Sequence, residues 1–173
     1  MNSELAGHQH SLDPGPKVSV RAAVADDANS LQSLRELAKG HISQQRGGEL
    51  ALLREFAATE TFGGFGAPEL NAERLVCMGY IDDVAVGYAS ADILKLEGGY
   101  ELCRLGELFV ESDAREIGVG ELLMKFVAQW AEERGCGGID ATAMPGDRDT
   151  KNFFETFGLV ARAITVHKDL RGT

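Results

Sequence analysis

The sequence predicts one mixed α/β domain of the α+β kind, with elements in the order β-α-α-β-β-β-α-β-α-β. Three observations carry that expectation. Stretches such as "KVSVRAA" and "RLVCMGYIDDVAVGYASADIL" alternate or run apolar over strand lengths. A later stretch repeats Val119, Leu122, Leu123, Phe126, Val127 and Trp130 at helical spacing. The 173 residues, 44% hydrophobic and 25% charged, suffice for one soluble core, and neither an internal repeat nor a second domain is needed.

Residues 1–16, "MNSELAGHQHSLDPGP", hold two prolines, two glycines and no apolar period, so they read as a flexible arm before a single domain over 17–173. His8 and His10 there read as a solvated tail rather than metal ligands. "KVSVRAA" is the first strand. Asp26 or Asp27 can cap the helix after it, whose apolar face holds Leu31, Leu34, Leu37 and Ala38. A second helix, Glu49 to Ala58, follows the Gly47-Gly48 break, and Thr61 to Glu69 form a glycine-rich aromatic loop. Asp82-Asp83 joins two strands as a hairpin. "YELCRLGELFV" ends apolar on both parities, which suits a central strand covered on both faces. Then come a helix from Gly118 to Arg134, the strand "GGIDATAM", a short helix from Thr150 to Phe157, and a final strand in "LVARAITVHKDL".

Composition excludes several function classes. A formal charge of −10 opposes nucleic-acid binding, which needs clustered Lys and Arg, and is compatible with a cationic substrate such as an amine. No run approaches the ~20 apolar residues that span a bilayer, and residues 1–16 lack the apolar centre of a signal peptide, so a cytoplasmic protein with no membrane partner is expected. Cys77, Cys103 and Cys136 lie in or beside apolar stretches without metal-ligand spacing; they read as reduced core thiols, and no metal is expected.

The segment "ELFVESDAREIGVGELLMKFVAQW" carries the chemistry. Gly118 and Gly120 stand at the mouth of a helix, where each costs roughly 1 kcal/mol relative to alanine. A helix N-terminus presents four unpartnered N–H groups and about half a positive charge, and glycine lets a pyrophosphate reach them. Arg115 adds planar donors suited to phosphate. Two rival phosphate motifs fail: no Lys-Ser or Lys-Thr follows for a Walker A loop, and Leu123 stands where a dinucleotide fingerprint needs its third glycine.

Arg115, Gly118 and Gly120 fill [QR]-x-x-G-x-[GA] after an apolar strand ending in Val110, and this segment resembles the corresponding one of the GNAT acyl-CoA-dependent N-acyltransferase superfamily. "DRDTKNFFETFGL" is similar to the family's N-x-x-A-x-x-F-Y-E-x-x-G-F segment at Phe153, Glu155 and Gly158. The two motifs, in order and correctly spaced, are more specific than either alone. The resemblance implies a mixed sheet that splays open after its fourth strand and holds acetyl-CoA or another acyl-CoA in the splay. The pyrophosphate would rest on Arg115, Glu116, Ile117, Gly118, Val119 and Gly120, and the pantetheine would pair with Leu108, Phe109 and Val110 as an added strand does. Asn152 and Phe154 are further candidate contacts, and a homodimer is compatible with the family.

The implied reaction is direct attack of a primary amine, of a small molecule or a protein, on the thioester. Such an amine, with a pKa near ~10.4, arrives as ammonium and must lose a proton. Glu107, in an otherwise apolar strand, is the first candidate base; Glu101 shares its parity along an unbulged strand; the structural alternative pairs Glu107 with Arg104 or makes it a substrate anchor. Main-chain N–H groups near Phe109 and Val110 can meet the oxyanion. The chain departs from the family pattern where tyrosine becomes Phe154 and asparagine becomes Asp147. Phe154 has no proton for the thiolate, although a thiol of pKa near ~8.5 leaves without strong assistance. The alternative is a catalytically weak acyl-CoA-binding or regulatory module, and a nucleotide-binding protein is a third reading. His41, at the end of the first helix, reads as a dipole partner, and His167 as a decoration of the last strand.

Overall fold

The structure, a computed structural model, describes residues 15–56 and 73–170. The loop expected at Thr61 to Glu69, most of the arm and the end of the second helix lie outside the described residues. The elements are β1 (Val18–Ala22), α1 (Ala28–Ser43), α2 (Gly48–Ala51, continued by a π-turn over Leu52–Phe56), β2 (Arg74–Ile81), β3 (Val84–Lys95), β4 (Glu101–Val110), α3 (Val119–Glu133), β5 (Gly138–Ala141) and α4 (Arg148–Thr156). The strands form one sheet in the order β1-β2-β3-β4-β5. The first four pair antiparallel, and β5 lies parallel to β4 because α3 carries the chain across between them. The β2–β3 hairpin turns at Asp82 and Asp83, both at positive φ as a primed turn requires.

Apolar residues on the two faces of the sheet build two cores. On one face, Leu123, Val127, Trp130 and Ala131 of α3 pack on Cys77, Ala89, Ala91, Cys103 and Leu105. On the other, Leu31, Leu34 and Ala38 of α1 pack on Val76, Met78, Tyr80 and Tyr88. Burial pushes the Cys77 and Cys103 thiols up to about 12, as inert core thiols require. Asp27 terminates a 3₁₀ turn (Ala25–Asp27) ahead of α1, and its carboxylate accepts from Val24 N, Arg21 and Tyr80.

Two expectations are corrected. Leu37, placed on the apolar stripe of α1, is 52% exposed, and Arg35 is buried instead. The expected final strand does not form: from Leu159 to Leu170 the chain belongs to no strand or helix, and 160–170 are exposed throughout. The alternation is present in the sequence, but a strand needs a hydrogen-bonded neighbour, and none of the described strands pairs with this segment.

Candidate active site

A single-residue bulge builds the centre of the site. Glu107 of β4 sits opposite Ser90 and Leu105 opposite Ala91, so Gly106 is the extra residue. The bulge exchanges the faces of the strand beyond it. Cys103 and Leu105 point to the α3 core, whereas Glu107 and Phe109 point toward α1. Glu101 therefore does not share a face with Glu107; it lies opposite Lys95 at the far end of β4, roughly 20 Å away at ~3.3 Å per residue, and does not line the cleft. The unbulged parity that grouped the two carboxylates is overturned by this register shift.

Glu107 is 5% exposed and fully engaged. Arg35 Nε donates to Oε2 at 3.0 Å and Nη2 to Oε1 at 2.7 Å, while the Tyr88 hydroxyl donates to Oε2 at 2.6 Å. The sequence reading offered Arg104 as partner, but Arg104 pairs with Asp92 at 2.7 Å. Burial, then the charge of Glu107, pushes the Tyr88 hydroxyl well above its ordinary range, so this phenol is a poor proton donor to anything else.

Parallel pairing of β4 with β5 covers only Leu102–Leu105 against Gly138–Ala141. Beyond it Gly106–Val110 has no neighbouring strand on that side among the described residues, and a cleft of about 740 Å³ opens there. Leu108, Phe109 and Val110 line it along the open edge. At its end the chain turns through Arg115–Gly118 into α3. Arg115 Nε donates to the Val110 carbonyl at 3.2 Å, which ties the arginine to the end of the strand. Glu116 has φ +65° and Gly118 φ +98°; such left-handed residues turn successive N–H groups into an anion-binding concavity. A Cβ on Gly120 would stand 3.5 Å from the Phe153 ring, ordinary contact, so the fold tolerates a methyl there but the cleft would lose the space. Arg115, Glu116 and Gly120 line the cleft, whereas Ile117, Gly118 and Val119 do not: Val119 is buried in the core and Ile117 is 41% exposed.

The opposite walls come from α1 and α4. Asp147 caps α4, accepting from Thr150 N at 3.0 Å, Thr150 Oγ1 at 2.7 Å and Gln45 Nε2 at 3.1 Å. Burial alone would raise this carboxyl, but those hydrogen bonds outweigh it and hold it below the usual range. His41 lies 3.1 Å from Gln45, so a polar bridge joins the end of α1 to the start of α4 across the cleft. His41 is thus a cleft residue as well as a helix-terminal one. Phe153 and Phe154 line the cleft; Asn152 is exposed on the outer side of α4 and does not, its place being taken by Asp149 and Thr150. His167 lies beside Gly47–Leu50, outside any strand.

The residues fit an acyl-CoA: an open strand edge matches the amides of pantetheine, and glycine-bordered helix amides with an arginine match a pyrophosphate. A family model for the acetyltransferase (GNAT) family matches residues 45–159. The chain belongs to the GNAT acetyltransferase family. No curated protein sequence matches it. Among solved structures, an aminoglycoside N-acetyltransferase, AAC(6')-Iy in complex with CoA, is 19% identical with a TM-score of 0.67, over 93% of this chain and 100% of its own. Glucosamine-6-phosphate N-acetyltransferase from Arabidopsis thaliana is 16% identical with a TM-score of 0.60, over 89% and 99%. Ribosomal-protein-alanine N-acetyltransferase from Brucella melitensis biovar Abortus 2308 is 16% identical with a TM-score of 0.61, over 89% and 100%. At these identities the likeness establishes the mixed, splayed fold of this GNAT chain. Among the described residues no group of three His, Cys, Asp or Glu could hold a metal, and no helix is long and apolar enough to cross a membrane.

Sequence reasoning missed Arg35, Tyr88 and Gln45. Arg35 had a signal: it stands at i+4 from Leu31 and three before Ala38, inside the apolar stripe, where a charge implies a buried partner.

Proposed function

We propose that this GNAT acetyltransferase carries an acetyl group from acetyl-CoA to a primary amine of a small molecule or a protein, by direct attack on the thioester. The observation that carries the reading is the unpaired Gly106–Val110 edge running straight into the Arg115–Gly120 turn inside one cleft. Arg115 and the main-chain N–H groups at the start of α3 hold the pyrophosphate, and Leu108–Val110 hold the pantetheine. The thioester then lies beside the bulge, where main-chain N–H groups of the open edge face the carbonyl oxygen that becomes negative when the amine attacks.

The ammonium first gives one proton to solvent; the free amine then attacks, the C–N bond forms and the C–S bond breaks, and the second nitrogen proton passes through water to the departing thiolate. Phe154 supplies none, and the Tyr88 proton is committed to Glu107. With both its oxygens occupied, Glu107 serves better to fix α1 against the bulge than to receive the substrate's proton. That engagement, together with Phe154, also favours the second reading, an acyl-CoA-binding module with weak turnover.

Calorimetry with coenzyme A and thiol release from acetyl-CoA across an amine panel separate these readings. Micromolar-range binding with amine-dependent thiol release is expected. Binding without amine-dependent release selects the module, and stabilisation by ATP or NAD greater than by acetyl-CoA overturns both.

A further inference from the structure

The two ends of the cleft differ in chemistry. At the α3 end the exposed side chains of Arg115, Glu116 and Glu121 surround the turn into the helix. The end toward α1 is walled by Ala38, Ile42, Ala51, Phe109, Met144 and Pro145. Phe109 extends an aromatic surface with Tyr88, their ring centroids 6.3 Å apart. A Cβ on Gly47 would stand 3.7 Å from Met144 Cε, so this methionine reaches from the β5 side to the turn between α1 and α2. Among the described residues, the carboxylates at this end are already engaged. Glu107 is held by Arg35 and Tyr88, and Asp147 accepts from Thr150 and Gln45. Asp149 is exposed in the first turn of α4, where the helix N-terminus already attracts its charge. Arg46 adds a positive charge to the same wall.

We propose that the acceptor is a small monoamine with an apolar body, an alkylamine or aralkylamine, whose carbon chain fills the α1 end of the cleft while its nitrogen faces the bulge. The proposal rests on the acetyl-transfer reading and names the acceptor for it. Carbon that leaves water against Ile42, Phe109 and Met144 gains about fourfold in affinity for each buried methylene. The single ammonium of such a molecule is discharged before it attacks, so no charge has to stay in the apolar chamber. A second ammonium would shed its hydration there with Glu107 already taken by Arg35 and with Arg46 repelling it, which rejects a polyamine or an amino sugar. The net charge of −10 draws either kind of cation to the molecule, but the wall selects between them. The bridge from His41 through Gln45 to Asp147 crosses the cleft and favours a slender molecule over a polypeptide.

Initial rates of thiol release from acetyl-CoA with propylamine, pentylamine, heptylamine and hexamethylenediamine test the proposal. KM should fall about fourfold for each methylene added along the monoamine series. Heptylamine and the diamine differ only by a terminal methyl in place of an ammonium, and heptylamine should have a kcat/KM at least about tenfold higher. A flat monoamine series, or a diamine as good as heptylamine, overturns the proposal. A tetrapeptide with an apolar amino-terminal residue, turned over faster than heptylamine, overturns the small-molecule source. Met144 belongs to neither hydrophobic core, and Met144→Glu puts a free carboxylate into the chamber. It should raise KM for heptylamine and lower it for the diamine; a folded variant with the wild-type ratio overturns the assignment of this wall. Should the variant misfold, the wild-type series decides alone. If coenzyme A binds but no amine releases thiol, the transfer reading has failed instead. Calorimetric titration of heptylamine and of the diamine into the coenzyme A-saturated protein then decides the acceptor class by the same order of affinities.

Discussion

Replacing Arg35 by methionine removes one half of a buried ion pair and leaves the other in place. The side chains of Arg35 and Glu107 are 6% and 3% exposed, so water cannot resolvate the carboxylate without opening α1 from the sheet. Two charge-assisted hydrogen bonds, at 3.0 and 2.7 Å, disappear, leaving the Tyr88 hydroxyl bond and the Coulombic attraction of Arg74. Breaking one side of such a pair costs about 3–5 kcal/mol. At ~2–4 °C per kcal/mol for a chain of this size, the midpoint should fall by about 6–20 °C. Glu107→Leu should cost a similar amount, because it takes the carboxylate away from a buried guanidinium. The double variant Arg35→Met/Glu107→Leu buries no charge and strands only the Tyr88 hydroxyl, a penalty of about 1–3 kcal/mol. It should therefore be more stable than either single variant. Urea melts of the four proteins give the coupling directly. A single Arg35→Met cost under about 1 kcal/mol, or additive single effects, would refute the claim that this pair is dry and locked.

Other expectations concern the anion cradle and the acid limb of stability. Gly120→Glu should abolish coenzyme A binding in calorimetry with the fold intact, while Gly120→Ala, whose methyl meets only the Phe153 ring at ordinary distance, should weaken it far less. Gly118→Ala must hold φ near +98° and should cost about 1–2 kcal/mol in a thermal melt, independent of ligand. Arg21, then Val24 N and the Tyr80 hydroxyl, hold the Asp27 carboxyl far below the usual range in spite of burial. A carboxyl that titrates lower folded than unfolded stabilises fully above its unfolded value near ~3.9 and loses that contribution as pH falls toward the folded value. Asp27→Asn should accordingly destabilise by about 1–3 kcal/mol at pH 7 and by much less near pH 2, measured by urea melts at both.

What the sequence by itself determined was local. The Arg115–Gly120 turn is six consecutive residues leading into α3, so its place at a helix end could be read before any tertiary contact was known, and the anion cradle proposed there rests on that local chemistry. The strands, the hairpin at Asp82-Asp83 and the long α3 followed from alternation and helical period in the same way. Tertiary structure decided what depends on distant pairing. The face on which Glu107 lies was set by a bulge in the β3–β4 register, and one extra residue reverses every side chain beyond it. Its partner arrives from 72 residues away on α1, and no spacing rule reaches that far. The segment 159–170 makes the converse point: its alternation is that of a strand, but a strand exists only when another backbone stands beside it, and among the described strands none does.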